Sequence, residues 1–450
     1  MLGLLEIVVL ILSVYAGSFL RFFEDPNLVS AHIGVLEVRA LVIAAVLYVC
    51  MQALGLYQPN LRDGMIGVLL RTIVAFVIGG VALTMVFYLW PTVFLGRGAL
   101  LISLGLAFLI VLAIRVVFSQ YINQNALRSR VMVLGAGNKA NLVARRLRRK
   151  SDQRGFQLSG YLPVSGQESL VEGKLLVRHK GSLLEMVRKL GIQEIVVAID
   201  DQREGMPVKE LLECKLAGVH VTDVLTFIER EAQRIDVSLL KPSWLIFSDG
   251  CGNRSVRRWS MRFFDIIASV MILAMTWPLI LAAVIAIKIE DGWGAPVLYS
   301  RERVGRHGNP FKVHKFRSMI QNAEKEGAQW AQKNDMRVTR VGEFIRKYRV
   351  DELPQLFNIF MGEMAFVGPR PERPVFVEQL TQELPFYGER HRVKPGLTGW
   401  AQLNYPYGAS VADSLHKLEF DMYYVKNNSL LLDVMILLQT VEVILCGRGR

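Results

Sequence analysis

The sequence predicts a membrane protein of several domains: four transmembrane helices, then an α/β domain, then an α-rich unit with a re-entrant membrane helix. Three observations predict this architecture. The chain has 450 residues, which is too long for one compact domain. Hydrophobic residues make up 52% of it although its formal net charge is +13, so apolar and basic residues must be segregated along the chain. Long apolar segments precede a region in which strand and helix patterns alternate.

The first 122 residues contain four apolar segments, each close to the roughly 20 residues that cross a bilayer. They cover residues 2–20, 40–57, 66–90 and 98–118. The first has neither a basic start nor an Ala-x-Ala cleavage site, so we expect an anchor rather than a removed signal peptide. Four spans return the chain to its starting side. The many arginines between residues 128 and 150 indicate that this side is the cytoplasm.

Two charged residues lie inside these spans, Arg71 in the third and Arg115 in the fourth. A long arginine side chain in a membrane helix usually extends to the interface, and we expect both to do so. Binding of an anionic headgroup is the alternative.

Residues 128–225 alternate between strands and helices, as is typical of a Rossmann-like α/β domain. The pattern predicts strands over 130–134 and 194–199 and helices over 141–149 and 208–216. The turn Gly135-Ala-Gly137-Asn-Lys-Ala140 follows a strand and opens a helix, as a dinucleotide fingerprint does. No Asp or Glu for a ribose hydroxyl lies about 20 residues further on, around 157–161. We therefore expect a structural or nucleotide-sensing domain rather than nicotinamide chemistry.

Residues 226–253 are expected to connect this domain to a last unit over 254–450. The four cysteines of the chain are far apart and form no CxxC pair. This spacing predicts neither a disulfide framework nor a thiolate zinc site.

The last unit begins with an uncharged run over 266–287 that is long enough to span a membrane. Basic residues flank this run on both sides: Arg254, Arg257, Arg258 and Arg262 before it, and Lys288 after it. Pro278 lies at its middle, where a proline removes a hydrogen bond and kinks the helix. We therefore expect a re-entrant helix over about 263–288, broken at Trp277-Pro278, that enters and leaves on the cytoplasmic face. A fifth spanning helix is the alternative, and it places everything that follows outside the cell.

Three polar blocks follow in which basic residues alternate with glycine, proline or carboxylates. They are Arg301-Glu-Arg-Val-Gly305 with Phe311-Lys-Val-His-Lys-Phe-Arg-Ser-Met319; Arg346-Lys-Tyr-Arg-Val-Asp351-Glu352-Leu-Pro-Gln-Leu; and Val367-Gly-Pro-Arg-Pro371 with Lys394-Pro-Gly-Leu-Thr-Gly-Trp400-Ala-Gln402. Arginine and lysine neutralise phosphate oxygens, and a carboxylate holds Mg²⁺ or attacks phosphorus. The blocks therefore predict a site for a diphosphate.

With these blocks in this order, the chain from about residue 254 to its end resembles the polyprenyl-phosphate sugar-phosphate transferases. These form the bacterial sugar transferase superfamily, whose α-rich catalytic domain is monotopic. The four spans and the Rossmann-like domain resemble the front part of its long-form exopolysaccharide members. The resemblance implies transfer of a sugar 1-phosphate from a nucleotide sugar, expected to be a UDP-hexose, to undecaprenyl phosphate.

The resemblance also implies a place and partners for the protein. We expect it in the bacterial inner membrane, with the catalytic domain on the cytoplasmic face and in contact with membrane lipid. There it initiates exopolysaccharide synthesis. A homodimer is expected, and a nucleic-acid partner is not.

Single residues match positions of known role in that family. Asp351 matches the nucleophile that attacks the sugar-linked phosphorus, and Glu352 matches a partner carboxylate that is expected to help hold Mg²⁺. Four cations match positions that steady phosphate charge or the architecture of the site: Lys315, Arg317, Arg346 and Arg370. Arg262 and Asp265 match the residues that precede the re-entrant helix. A carboxylate of ordinary pKa is ionised at pH 7, which suits the role of Asp351.

The chain departs from the family pattern at two places. Trp277-Pro278 stands where the family usually has Ser-Pro, so the serine hydroxyl that bonds a freed carbonyl is missing. After Gln402 the chain reads Leu403-Asn-Tyr-Pro-Tyr-Gly-Ala-Ser410, without the arginine that contacts phosphate in many members. The sequence does not show which residue replaces it.

Plainer interpretations remain open for individual residues. Asp351 by itself is consistent with a helix N-cap, and a single arginine is more often a surface residue than a ligand. His314 and His391 have no second histidine at ligand spacing, so we expect them to be solvated or structural. The apolar stretch over 430–445 carries Asp433 and is expected to lie on the membrane or on the core rather than to cross the bilayer.

Three other functions compete with covalent sugar-phosphate transfer. In the first, polyprenyl phosphate attacks the nucleotide sugar directly, without a covalent stage. In the second, the chain is a non-catalytic membrane organiser of a polysaccharide assembly complex, which would also use four spans and a nucleotide-fold domain. The third, an NAD-dependent sugar dehydratase or epimerase, rests on the glycine turn alone and lacks a Tyr-x-x-x-Lys pair in that domain.

Overall fold

The structure is a computed structural model of the chain. It describes residues 2–23, 36–57, 65–121, 128–147, 153, 155–164, 169–171, 173–177, 181–200, 206–240, 255–320, 337–405, 408 and 410–445. Some features named above lie outside these residues: the basic residues 148–150, most of the expected connector (241–253), Arg254, and Pro406, Tyr407 and Ala409 after Gln402. The chain forms two compact units, Met1–Ala232 and Gln233–Arg450.

Four long helices begin the first unit. They are α1 (Leu2–Arg21), α2 (Leu36–Ala53), α3 (Met65–Leu89) and α4 (Arg97–Tyr121). Each is long and apolar enough to cross a membrane. α1 and α3 both pack against α2 and α4, while apolar side chains such as Leu4, Val81 and Leu101 point outward. Exposed apolar faces on long helices suit a lipid environment, and the protein is a membrane protein.

Buried charges join these four helices at one end. Arg115 on α4 forms an ion pair with Glu6 on α1, with 2.7 Å between Nη2 and Oε2, and both side chains are buried. The Tyr57 hydroxyl donates to the same carboxylate. Arg71 on α3 is also buried and donates to the carbonyl oxygen of Leu54, just beyond α2, over 3.1 Å. Both arginine side chains are thus buried against partners inside the protein, whereas the sequence predicts that they extend toward the membrane interface.

Removal of one partner of the buried Arg115–Glu6 pair should cost far more stability than removal of an exposed charge on the same helix. We expect Arg115→Met to lower the free energy of unfolding by about 3–5 kcal/mol, because Glu6 is left as a buried, unpaired charge. Thermal unfolding of the detergent-solubilised protein measures the loss. The matched control is Arg97→Met at the exposed start of α4. Equal losses in the two variants would show that the buried pair is not a stabilising contact.

The α/β part of the first unit contains a four-stranded sheet in the order β2-β1-β3-β4, and all pairs are parallel. Its strands are β1 (Ser129–Leu134), β2 (Phe156–Leu162), β3 (Glu194–Val197) and β4 (His220–Asp223); its helices are α5 (Asn138–Arg146), α6 (Leu183–Leu190), α7 (Val208–Leu216) and α8 (Val224–Ala232). The central strand β3 is buried throughout and β1 is buried from Val131 to Leu134, as expected for parallel strands covered on both faces. The strand order reverses between β1 and β3, and this creates a crevice at their carboxyl ends.

The second unit is α-rich and contains two small sheets. Its elements are α9 (Ser255–Asp291), β5 (Leu298–Val304), β6 (Pro310–Phe316), α10 (Arg340–Lys347), α11 (Gln355–Met361), β7 (Ala365–Val367), α12 (Pro374–Glu383), β8 (Gly396–Thr398), α13 (Trp400–Asn404), α14 (Val411–Asn427) and α15 (Leu430–Leu445). β5 and β6 form an antiparallel hairpin, and β7 and β8 form a parallel pair.

α9 is one continuous helix of 37 residues that contains Pro278 in its interior. The Thr276 hydroxyl, two residues before the proline, donates to the carbonyl oxygen of Ile272 over 2.7 Å. Hydroxyls that bond back to the preceding turn tend to bend helices. The chain has Trp277 in place of the serine that the family usually has before this proline. The Thr276 hydroxyl nevertheless lies close to the proline and bonds the Ile272 carbonyl oxygen one turn back.

The last helix, α15, packs on the core of the second unit. Leu432 and Ile436 on one face are buried in the same cluster as Leu356 and Trp400. Asp433 is buried as well, and its carboxylate accepts a 2.8 Å hydrogen bond from the Tyr424 hydroxyl. Of the two positions expected for this stretch, the structure therefore shows the one on the core.

Candidate active site

The two halves of the third polar block meet in the parallel pair β7–β8. The Gly368 N–H donates to the Thr398 carbonyl oxygen over 2.9 Å, and the Gly396 N–H donates to the Pro369 carbonyl oxygen over 3.0 Å. A Cβ on Gly396 would lie 2.1 Å from the nitrogen of Gly368, and one on Gly368 would lie 2.3 Å from the carbonyl oxygen of Lys394. No side chain fits at that separation. These glycines therefore allow the two loops to touch, and this contact sets the position of Arg370.

Lys315 lies on β6, and a buried amide fixes this strand beside α11. Asn358 on α11 donates through Nδ2 to the Lys312 carbonyl oxygen over 2.8 Å and accepts through Oδ1 from the His314 N–H over 3.2 Å. The ring of His314 contacts the Ser300 hydroxyl across the hairpin. Asn358 therefore sets the distance between Lys315 and the helix that follows the two carboxylates.

Asp351 and Glu352 lie in a short 3-10 helix, Val350–Glu352, between α10 and α11. The preceding Arg349 has a φ of +58°, in the left-handed region that non-glycine residues rarely adopt. Both carboxylates are buried, with exposed fractions of 7% and 9%. The N-cap position of α11 is Pro354, and no side chain caps that helix. The N-cap interpretation of Asp351 is therefore wrong.

Glu352 is an anion held by two cations. Its Oε1 accepts hydrogen bonds from Lys315 Nζ over 3.0 Å and from Arg349 Nη1 over 3.3 Å. Burial by itself raises the pKa of Glu352, but the charges of Lys315, Arg370 and Arg349 outweigh burial and lower this pKa to about 2. Glu352 is consequently ionised at any physiological pH.

Asp351 differs from its neighbour. Burial raises its pKa, the adjacent Glu352 charge raises it further, and Lys315, Arg349 and Arg346 oppose the increase. Within the part of the chain that the structure describes, no group donates a hydrogen bond to its carboxylate. The expectation of an ordinary pKa is wrong, because a neighbouring anion and burial act together. Asp351 is thus a more basic carboxylate than usual, close to cations but not hydrogen-bonded to them.

The other predicted cations lie at different distances from this pair. Arg346, in the last turn of α10, is close enough for its charge to act on Asp351, and Arg370 acts on Glu352. Arg317 follows β6, where its Nη1 is buried and has no hydrogen-bond partner among the described residues. No described contact joins Arg317 to either carboxylate. Sequence reasoning missed Arg349, and its position two residues before Asp351 was the available signal.

α9 contacts the elements around the carboxylates at both of its ends. Near its start, Arg262 donates to the carbonyl oxygens of Ile359 and Phe360 at the end of α11, over 2.6 and 2.5 Å. Near its end, Glu290 accepts from the N–H groups of Arg340 and Val341 at the start of α10, over 2.9 and 3.0 Å. These side chains satisfy backbone groups that helix ends leave unpaired. At the middle of α9, Trp277 is exposed.

The carboxylates also decide which metal the site suits. Among the described residues there is no group of three or more His, Cys, Asp and Glu side chains that could hold a metal ion. Mg²⁺ usually keeps several waters and binds one or two carboxylates together with substrate phosphates. Adjacent Asp351 and Glu352 carboxylates fit Mg²⁺ that binds with a diphosphate, and they do not fit a metal held by protein ligands alone.

The glycine turn of the α/β domain already holds an anion of the protein itself. The Asp200 carboxylate accepts hydrogen bonds from the backbone N–H groups of Asn138 and Lys139, each over 2.8 Å. A Cβ on Gly137 would lie 2.2 Å from a carboxylate oxygen of Asp200. Dinucleotides place their pyrophosphate at this point, the start of the helix after β1. A ligand phosphate would have to displace Asp200, which disfavours the NAD-dependent hypothesis.

Taken together, the long apolar helices and the carboxylate pair among cations define a membrane protein with a site for phosphate chemistry. A family model described as bacterial sugar transferase matches residues 256–447, the region that contains this site. The chain belongs to the bacterial sugar transferase family.

Three relatives illustrate the match. A UDP-N-acetylgalactosamine-undecaprenyl-phosphate N-acetylgalactosaminephosphotransferase of Aeromonas hydrophila is 42% identical over 250 residues, 56% of this chain and 58% of the relative. An undecaprenyl-phosphate glucose phosphotransferase of Komagataeibacter xylinus is 33% identical over 331 residues, 70% of this chain and 59% of the relative. A UDP-galactose-lipid carrier transferase of Erwinia amylovora is 30% identical over 351 residues, 71% of this chain and 68% of the relative. The chain thus spans less than two thirds of the length of the first two.

Proposed function

We propose that this protein transfers a sugar 1-phosphate from a UDP-hexose to undecaprenyl phosphate, giving undecaprenyl-diphosphate sugar and uridine monophosphate. The observation that carries the proposal is the Asp351 carboxylate. It is buried, it has a raised pKa, and it lies beside an anion that Lys315 and Arg349 already neutralise, inside the matched family region. The names of the relatives support the same reaction, and they differ in the sugar. The product is the lipid-linked sugar on which exopolysaccharide synthesis starts.

The chemistry runs through a phosphosugar on Asp351. A carboxylate oxygen of Asp351 attacks the sugar-linked phosphorus, and the bond from this phosphorus to the bridging oxygen breaks, which releases uridine monophosphate. An oxygen of undecaprenyl phosphate then attacks the same phosphorus, forms the new diphosphate and restores the carboxylate. Each step exchanges one phosphorus–oxygen bond for another and needs no added proton. The raised basicity of Asp351 suits the attacking role.

The surrounding cations stabilise the charge that moves. Arg346 and Arg370 offset the repulsion between the carboxylate pair and an anionic donor. Lys315 and Arg349 hold Glu352 in place. Glu352, with its second carboxylate oxygen, would hold Mg²⁺ against the diphosphate. When bound, Mg²⁺ neutralises phosphate charge and polarises the leaving oxygen.

We also propose how the protein sits in the membrane. α1 to α4 form a transmembrane bundle, and α9 is re-entrant, with the catalytic unit on the cytoplasmic face of the inner membrane. In support of this, the first half of α9 packs on the core that contains Ile359 and the second half packs on Phe316 and Ile345, while Leu353 touches both clusters. If α9 crossed the bilayer, the elements that pack on its two halves would have to enter the hydrocarbon region. The exposed Trp259 and Trp293 near the two ends of α9 suit an interfacial position.

Cysteine labelling tests this arrangement. In a cysteine-free background, Trp259→Cys and Trp293→Cys should both react with a membrane-impermeant maleimide from the cytoplasmic side only. Labelling from opposite sides would establish a fifth span.

Mass measurement of the protein in nanodiscs tests the expected homodimer.

Uridine monophosphate release tests the reaction. Purified protein in detergent is given Mg²⁺, undecaprenyl phosphate and a panel of UDP-glucose, UDP-galactose and UDP-N-acetylgalactosamine. Release with one donor supports the proposal and names the sugar. If no nucleotide sugar is consumed by folded protein, the organiser function takes its place.

A further inference from the structure

The segment Pro369-Arg370-Pro371 is held in place through its carbonyl oxygens. Two of its three residues are prolines, which have no N–H to donate. Its three consecutive carbonyl oxygens accept from three different elements: Pro369 from the Gly396 N–H over 3.0 Å, Arg370 from Arg390 Nη2 over 3.0 Å, and Pro371 from Arg303 Nη1 over 3.4 Å. The middle bond comes from a buried arginine, which thus holds the main chain at Arg370 itself.

Arg390 is oriented by partners that are as buried as it is. It lies in the 3-10 segment Tyr387–Arg392 with an exposed fraction of 5%. Its Nη1 donates to the Tyr387 hydroxyl over 2.7 Å, and its Nη2 forms an ion pair with Asp421 on α14 over 2.8 Å. A buried ion pair contributes little stability beyond what apolar residues of similar volume supply. Its effect here is geometric, because the planar guanidinium reaches three acceptors at once.

Arg370 is one of the cations that the proposed function assigns to the phosphate site. Its charge is among those that lower the pKa of Glu352, second only to the charge of Lys315. A change in the direction of the Arg370 side chain therefore changes the field at the site. The chain of contacts runs from Asp421 to Arg390 and then to the main chain of Arg370.

We propose that Arg390 is a positioning residue of the phosphotransfer site, which fixes the main chain of Arg370 and thereby the place of its side chain in that site. The role rests on the proposed function and adds to it a residue that touches neither substrate nor either carboxylate. Lysine cannot replace it, since one ammonium group on a flexible stem does not reach all three acceptors.

A double-mutant cycle tests the proposal. Arg390→Lys should lower the turnover rate about 10- to 100-fold, the scale expected when a charged group is misplaced by about 1 Å. In an Arg370→Ala background the same substitution should cost almost nothing, because the group through which it acts is gone. Arg392→Lys is the matched control: this arginine lies in the same segment but is exposed and pairs with Glu389. Equal losses in both backgrounds would overturn the proposal.

Hydrogen exchange provides a readout that does not depend on activity. The Arg370 amide is the only N–H in the Pro369–Pro371 segment, and peptides that contain it should exchange faster in Arg390→Lys but not in Arg392→Lys. Tyr387→Phe, which keeps the ion pair and removes one acceptor, replaces Arg390→Lys if that variant does not fold. Unchanged exchange and turnover would exclude the positioning role. If wild-type protein turns over no donor while hydrogen exchange responds as expected, the proposed function fails. The inference that Arg390 fixes the main chain of Arg370 then still stands.

Discussion

Asp351→Asn is expected to lose uridine monophosphate release by on the order of 10⁴-fold or more, because the amide cannot form the bond to phosphorus. The variant keeps the size of the side chain and removes the burial of a charge, so it should fold. Wild-type protein mixed with donor alone should gain the mass of one sugar phosphate, and the variant should gain none. Steady-state release and intact-protein mass together measure the effect. Glu343→Gln, at an exposed carboxylate of α10, is the control and should retain wild-type turnover.

The combinations of these two readouts separate the competing functions. Turnover without an adduct in wild-type protein, together with partial activity in Asp351→Asn, would establish direct attack by undecaprenyl phosphate. Full retention of turnover in the variant would contradict the assignment of the nucleophile. Complementation of polysaccharide synthesis by Asp351→Asn in cells would favour the organiser function.

Lys315→Met is expected to lower turnover by about 10²–10³-fold, comparable to the loss of one preorganised donor in other enzymes. Lys315 Nζ lies 3.0 Å from Oε1 of Glu352. Its removal raises the pKa of Glu352 from about 2 and also raises the pKa of Asp351, because the Lys315 charge lowers both. A nucleophilic Asp351 must be ionised, so activity falls as pH falls through its pKa. The acid limb of the pH–rate profile should therefore move to higher pH.

The same substitution changes the acid stability of the protein. The lowered pKa of Glu352 adds stability above the ordinary glutamate range, which is lost only as pH falls toward about 2. In Lys315→Met the pKa of Glu352 lies closer to its ordinary value, so less stability is present at neutral pH and less of it is lost on acidification; acid titration followed by circular dichroism measures this difference. Lys312→Met on the exposed part of the same strand is the control. An acid limb and an acid transition that do not move would contradict the electrostatic role of Lys315.

Features that depend on local pattern could be predicted well. The first span was expected over 2–20 and α1 is Leu2–Arg21, while the helix expected over 208–216 is α7, Val208–Leu216. Apolar run length and helical period are properties of neighbouring residues, so they can be detected without knowledge of tertiary contacts. The polar blocks were recognisable for a similar reason, since each is a contiguous stretch. The predicted roles of Arg317, Arg346 and Arg370 stay predictions.

Features that depend on distant partners could not be predicted. Arg115 is buried because Glu6, more than a hundred residues earlier, offers a carboxylate. The glycines of the third block belong to a predicted diphosphate site, and the structure shows that they let β7 and β8 touch. Asp200 fills the start of α5 from the other side of the crevice.

The sequence by itself determined the membrane-embedded character of the chain, its parallel α/β domain and its family, because these follow from composition, period and contiguous motifs. Only the tertiary structure decided the electrostatic character of the carboxylate pair. Asp351 and Glu352 are adjacent and similar in sequence, yet the pKa of one is raised and that of the other is lowered. The physical reason is that a pKa responds to burial and to charges a few ångströms away, and Lys315 and Arg370 reach that distance only when the chain is folded.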